Sequence, residues 1–166
     1  YNISVVGVVA DNYPVESIRD ISTDPIIRLN VFKKPYVQVR GGTISLDEVE
    51  NQKIREAFKD PRIHFAINCA AESCPPIRPE PFMGARIDQQ LDDQARRFLN
   101  GPHGVRLEQD GDELLLHVTK ILDWFKDDFE KGHKGFRQVA DVFARHADLL
   151  ADAPADRQRI REKNAT

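Results

Sequence analysis

The stretch Arg62-Ile63-His64-Phe65-Ala66-Ile67-Asn68-Cys69-Ala70-Ala71-Glu72-Ser73-Cys74-Pro75-Pro76 holds both cysteines of the chain, one of its histidines, and an abrupt passage from an apolar run to a proline stop. Residues 63–69 are short, mostly apolar and bounded by Pro61 on one side and Glu72-Ser73 on the other, so they read as a buried strand emptying into a loop. Loops at strand ends carry a disproportionate share of binding and catalytic groups. On a regular strand, alternation sends His64 and Cys69 to opposite faces, because they lie five residues apart.

Upstream, two β-rich runs, Pro35-Tyr36-Val37-Gln38-Val39-Arg40 and Thr43-Ile44-Ser45-Leu46, flank Gly41-Gly42 and predict a hairpin. Ser45 or Asp47 can cap a following helix whose stripe is Val49, Ile54, Ala57 and Phe58, with Lys59-Asp60-Pro61 ending it. Further back, residues 2–13 read as a buried helix closed by Pro14, residues 15–21 as a short second helix with Val15, Ile18 and Ile21 inward, and Asp24-Pro25 as a turn. Downstream, Pro75, Pro76, Pro79 and Pro81 enforce irregular chain. A helix then runs from Arg86 or Ile87 to Leu99, with Ile87, Leu91, Ala95 and Phe98 in register and Asn100-Gly101-Pro102 as its stop.

A second hairpin is predicted where residues 105–108 and 113–118 flank Asp110-Gly111-Asp112. Thr119 can cap a helix over residues 121–129 with Leu122, Phe125 and Phe129 inward and Trp124 in the core or a pocket wall. A last helix spans 136–150, and residues 151–166 form a polar tail, either a solvated helix or a disordered end. The fold class is therefore α+β: an antiparallel or mixed sheet from two hairpins plus a central strand, surrounded by helices, with residues 1–150 as one domain.

Composition narrows the function. At 166 residues the chain can bury a core without a covalent staple. A formal net charge of −3 gives no basic footprint for nucleic acid, and no apolar segment approaches the roughly 18 residues of a membrane span. The chain opens at Tyr1 without an initiator methionine, which reads as the remainder of a longer product.

Two cysteines separated by four residues admit three arrangements. A disulfide would pin the loop in an oxidising compartment. A metal site needs more ligands than two thiolates, and His64, His103, His117, His133 and His146 show no zinc-like spacing with them, so no metal or cofactor is expected. The third makes one cysteine a nucleophile, activated by a histidine that the fold brings close. Cys69 is better placed for that role than Cys74, whose backbone Pro75 biases toward extension. His64 and His117 are the candidate bases, with Glu50 or Asn68 as the group that orients them.

Several segments together resemble a known family, the one catalogued as domain of unknown function 547. They are Tyr1-Asn2, Tyr13-Pro14-Val15-Glu16-Ser17-Ile18-Arg19-Asp20, Ser45-Leu46-Asp47-Glu48-Val49-Glu50, residues 62–69, Ser73-Cys74-Pro75-Pro76-Ile77-Arg78 and Trp124-Phe125-Lys126-Asp127-Asp128-Phe129. The resemblance implies a bacterial, exported branch, a periplasmic or cell-envelope location, further helical residues upstream of Tyr1, and a Cys69–Cys74 disulfide. Plant relatives lack this cysteine pair. The family's usual Glu-His corresponds here to Glu50-Asn51, so a histidine present elsewhere is replaced in this chain. The element mix is also distantly similar to papain-like cysteine hydrolases, an analogy at the level of fold.

Two functions follow as expectations. One is a ligand- or protein-binding module, with a small molecule or peptide as partner, its loop stapled by the disulfide and its pocket built from Glu50, Asn68, Ser73, Arg78, Trp124 and Asp128. In that pocket Arg78 can hold a carboxylate or phosphate, or pair with Asp128. The alternative is a thiol-dependent hydrolase, peptidase- or amidase-like, with Cys69 as nucleophile and the N–H groups of residues 70–74 facing the oxyanion. Oligomeric state is not legible in the chain.

Overall fold

Three small apolar clusters, rather than one core, organise this α+β chain in a computed structural model that describes residues 1–21 and 30–162. Helix α1 (Asn2–Asp11) forms ahead of Pro14, whose ring and missing N–H bar continuation. The expected second helix contracts to one 3-10 turn, Ile18–Asp20, in which the Ser17 hydroxyl accepts the Arg19 N–H at 3.2 Å. Ile18 and Ile21 still point inward, joining Val5, Val31 and Leu46 in the first cluster. The expected Asp24-Pro25 turn lies outside the described residues.

Strands β1 (Pro35–Val39) and β2 (Gly42–Ser45) pair antiparallel with Val39 opposite Gly42, and Gly41 turns the chain at φ 104°, where a side chain would be strained. Ser45 then caps the next helix. Its hydroxyl accepts the Glu48 N–H at 3.1 Å while the Glu48 carboxylate accepts the Ser45 N–H at 2.8 Å, a reciprocal capping box. The helix is α-helical in α2 (Leu46–Glu48), π-helical across Val49–Arg55, and α-helical again in α3 (Glu56–Phe58). Lys59, left-handed at φ 50°, ends it where the sequence placed the stop.

The expected central strand is not formed. Residues 61–65 make a 3-10 turn (Pro61–Phe65) opened by Asp60, whose carboxylate accepts the Arg62 N–H at 3.0 Å, with Pro61 at the first helical position. Ala66 and Ile67 donate back to the Ile63 carbonyl at 2.8 and 3.0 Å, and the chain beyond is irregular. A short apolar run buried on every side does not discriminate strand from helical turn, and here the cap decides. The two hairpins consequently remain separate two-stranded antiparallel sheets.

Helix α4 (Ile87–Leu99) lies where the sequence put it. It buries Leu91, Ala95, Phe98 and Leu99, while Ile87 stays exposed in its first turn. Past it the chain folds back so tightly that a Cβ on Gly104 would stand 2.2 Å from the Phe98 carbonyl oxygen. The second hairpin, β3 (Arg106–Asp110) and β4 (Glu113–His117), follows. Thr119 caps α5 (Lys120–Trp124), and a break at Phe125 separates it from α6 (Lys126–Glu130). Phe65, Phe98, Phe129 and Phe136 centre the second cluster, with Leu122 and Val142 around them.

The last predicted helix is divided. Residues 136–139 form a turn in which the Asp141 carboxylate accepts the Arg137 N–H at 2.7 Å, and α7 (Ala140–Arg145) and α8 (Ala147–Leu150) are interrupted at His146. In the polar tail, α9 (Pro154–Arg161) inserts Ile160 beside Leu114, Ala147 and Ala151, the third cluster. Among the described residues, no helix is long and apolar enough to cross a membrane.

Candidate functional site

A cleft of about 630 Å³ opens at the seam between the first and second clusters. Tyr1, Ile18 and Phe32 line it from one side, Trp124 and Phe125 from the other, and Glu50, Asn51, Arg55, Cys69 and Ala71 close it. Seams of this kind concentrate ligand sites because two cores present apolar walls to one space.

The π-helix explains the polar wall. On an α-helix Glu50 and Arg55 would stand about 140° apart, but the i→i+5 repeat of a π-turn returns them to the same face. Arg55 donates to the Asn51 side chain at 2.6 Å and to Asp128 at 2.7 Å. Burial pushes the Glu50 carboxyl above the usual carboxylate range, against the pull of the Tyr1 hydroxyl and Arg55. Tyr1 is shifted upward as well, by burial and by the Glu50 charge.

The cysteine loop is shaped by Asn68. Its amide donates to the Pro75 carbonyl at 2.7 Å, its side-chain oxygen accepts the Ala70 N–H at 2.7 Å, and its backbone N–H donates to Asn2 at 2.9 Å. Ala70 adopts φ 61°, a left-handed conformation costing roughly 1 kcal/mol for a residue with a Cβ. Asn68 is thus a framework residue rather than a wall of the cleft. Ser73 sits half-buried in the turn that the Cys74 N–H closes on the Ala71 carbonyl at 2.9 Å, away from the cleft lining.

Cys69 and Cys74 are free thiols, so the expected disulfide is not present. The loop instead packs the two sulfurs as a hydrogen-bonded pair. Cys74 is buried, and its sulfur accepts the Cys69 thiol, the Cys69 backbone N–H at 3.2 Å and the Ala71 N–H, which together draw it down to about 6 despite burial. Cys69, half-buried on the cleft wall, is pushed well up by the bond it donates to Cys74 and by burial. The pair therefore shares one proton, with the negative charge resting where backbone N–H groups converge.

No histidine acts on either sulfur among the described residues. His64 has a wholly buried side chain, its Nε2 bonded to Asp128 at 2.8 Å and its ring stacked on Phe125 at 3.8 Å between centroids. Because Asp128 is held well below the usual carboxylate range by His64, Arg55 and Lys131, it accepts, which places the imidazole proton on Nε2. Nδ1 is left buried without a partner. Burial holds the His64 pKa below its ordinary value. His117 is elsewhere, bonded to Glu108 at 2.7 Å on the exposed second hairpin.

Of the other predicted residues, Glu50 and Trp124 line the cleft, and Asp128 sits one layer behind it. Arg78 does not join them: it bonds Glu80 at 2.8 Å and also Asp93, so the expected pairing with Asp128 is not made. Tyr1, Asn51, Arg55 and Phe125 were not singled out as site residues. The π-helix that recruits Asn51 and Arg55 leaves no simple periodic signal. Among the described residues, no group of three or more His, Cys, Asp or Glu side chains is placed to hold a metal ion.

A family model described as "Protein of unknown function, DUF547" matches residues 1–99. The chain belongs to this family. The DUF547 match contains Tyr1, Glu50, Arg55, His64 and both cysteines, whereas Trp124, Phe125 and Asp128 lie beyond it, although the resemblance also drew on their segment. No curated protein and no solved structure matches the chain.

Proposed function

We propose that the cleft is the active site of a thiol-dependent hydrolase acting on acyl compounds, peptides or amides among them, with Cys69 as nucleophile. The observation that carries this reading is the sulfur pair: a half-buried thiol on the wall of a cavity, hydrogen-bonded to a second sulfur drawn down to about 6. The Cys74 thiolate, present near neutral pH, is a base held against the Cys69 thiol, which such chemistry requires of a nucleophile that is itself protonated. Cys74 accepts the Cys69 proton as the Cys69 sulfur bonds to the substrate carbonyl carbon. The carbonyl π electrons move to oxygen and return as the bond to the leaving amine or alkoxide breaks. The proton on Cys74 passes to that leaving group, and water then releases the acid and regenerates the Cys69 thiol.

An activated ester such as p-nitrophenyl acetate tests the reading on reduced protein. Burst release of one nitrophenol per chain is expected, with an acetyl group mapped to Cys69 and lost in Cys69→Ala. Absence of acetylation at Cys69 over the neutral range refutes it. A second reading, ligand binding without turnover, is favoured by the half-exposed Trp124, which lines the cleft on the same side as Phe125 and opposite Phe32. The chain holds one tryptophan, so fluorescence quenching that survives in Cys69→Ala, with no burst in the native chain, selects it.

A further inference from the structure

The geometry points to His64 as the base of the deacylation half-reaction, separated from the cleft by Phe125, which acts as a movable wall; this rests on the thiol reading above. Cys74 is poorly placed for that half. Its sulfur is buried and turned into the backbone N–H groups of Cys69 and Ala71, and it does not line the cleft that an attacking water would enter. His64 has the required equipment one layer back. Asp128 fixes its Nε2, and Nδ1 is a bare acceptor in a protein interior, where such groups are almost always satisfied. An ionised carboxylate on one ring nitrogen and an open lone pair on the other is the arrangement of an oriented general base.

Phe125 is the residue common to both compartments. Its ring lies nearly parallel to the imidazole, at 14°, and it also lines the cleft beside Cys69. It occupies the break between α5 and α6, with φ −115° and ψ 23°, rather than a helical turn. The Arg55 guanidinium carbon stands 5.3 Å from its ring centre, and Arg55 shares Asp128 with His64. Rotation of Phe125 toward the cleft opens the face of the imidazole that it covers, next to the ring edge that carries Nδ1, and leaves the Asp128 bond to Nε2 in place. The groups facing His64 are then Asp128, which favours its protonated form, and Arg55, which opposes it. In the step itself, water bonds through oxygen to the acyl carbon and gives a proton to Nδ1. The carbon–sulfur bond breaks with its electrons on Cys69, and the proton passes from Nδ1 to that sulfur.

The test follows decay of acetyl-Cys69 by mass spectrometry from pH 4.5 to 8.5 in the full chain, its Phe125→Ala and Phe125→Leu variants, and His64→Gln. Gln preserves a donor toward Asp128, and Leu preserves an apolar wall if Ala unfolds. Decay in the native chain is expected to rise with pH through a midpoint below the ordinary histidine value. It should slow by about 100-fold or more in His64→Gln, the usual range for loss of a general base. Opening the wall should move the midpoint up toward about 6.5 in Phe125→Ala as water relieves burial. Diethylpyrocarbonate should modify His64 faster in Phe125→Ala than in Phe125→Leu, and slowest in the native chain.

Decay indifferent to His64→Gln, or a midpoint unmoved by opening the wall, overturns the assignment to His64 while leaving Cys69 as nucleophile. Failure of Cys69 to acetylate at all overturns the thiol reading and the base together, and equal diethylpyrocarbonate labelling in the three Phe125 forms overturns the wall.

Discussion

Within fifteen residues the chain builds two polar clusters that differ in one respect. Arg62 is buried and bonded on every side: to Asp60 at 2.6 Å, to Asp92 at 2.7 Å, and to Asp88, with Lys134 bridging Asp88 from outside at 3.2 Å. The cysteine cluster is also partly buried, but one face of it, Cys69 and Glu50, opens on a cavity. A closed network contributes by holding α4 against the 3-10 turn at Pro61–Phe65. An open one leaves capacity for a further partner. Asp60 also borders a cavity, of about 440 Å³, so what separates the two is that its carboxylate is already paired with Arg62 and Lys134.

Removing a partner from the closed cluster should have the largest effect on stability. Arg62→Ala leaves the buried Asp60 with only the longer contact to Lys134, at 3.7 Å, and should cost about 3 kcal/mol in urea unfolding. The thiolate titration near 6 should stay where it is. A shift of that titration in Arg62→Ala would mean the clusters are coupled. Asp128→Asn should cost about 2 kcal/mol at neutral pH, since it weakens bonds from Arg55, His64 and Lys131. The folded Asp128 carboxyl titrates below its unfolded value, so its contribution is present above about 3.9 and is lost as pH falls further. Acid unfolding below pH 4 should accordingly be less steep in Asp128→Asn than in the native chain.

The open cluster should respond in titration rather than in stability. In Cys69→Ala, the ultraviolet thiolate signal of Cys74 should move from about 6 up toward the ordinary thiol value of about 8.5, because the strongest donor to that sulfur is gone. The sign extends to stability. With the folded value depressed, Cys74 stabilises the chain fully above about 8.5, and the benefit fades as pH falls through about 6. Cys69→Ala should flatten that slope. The smallest effect belongs to His117→Ala: an exposed pair with Glu108 is worth about 0.5 kcal/mol or less, and the thiol titration should not notice it.

Local signals located most elements well. The Gly41-Gly42 and Asp110-Gly111-Asp112 turns, the Ser45 and Thr119 caps and the Leu91–Ala95–Phe98 stripe each have a short-range cause that a sequence displays directly. The failure at residues 63–69 came from weighing an apolar run above its start signal: Asp60-Pro61 is a helical opening, and the run is buried by neighbours distant in sequence. The site was half legible. Cys69, Glu50 and Trp124 were found by residue type and position, while Arg55 and Phe125 required knowledge of helix irregularities that tertiary packing sets. Arg78, a plausible anion ligand by its chemistry, is occupied by carboxylates on the Pro-rich loop and α4.

The π-helix at Val49–Arg55 also makes the site tolerant of one change in chain length. A π-turn holds one residue more than the α-turn it replaces, so deleting a single exposed residue, Gln52 or Lys53, would let the segment relax to an ordinary α-helix with its hydrogen bonds intact. In such a chain Arg55 would follow Glu50 by four residues, about 40° round an α-helix, so the two would stay on one face. Arg55 would keep its direction toward Asp128, and the cleft its guanidinium, whereas the same deletion in a segment that is already α-helical would turn everything after it by about 100°.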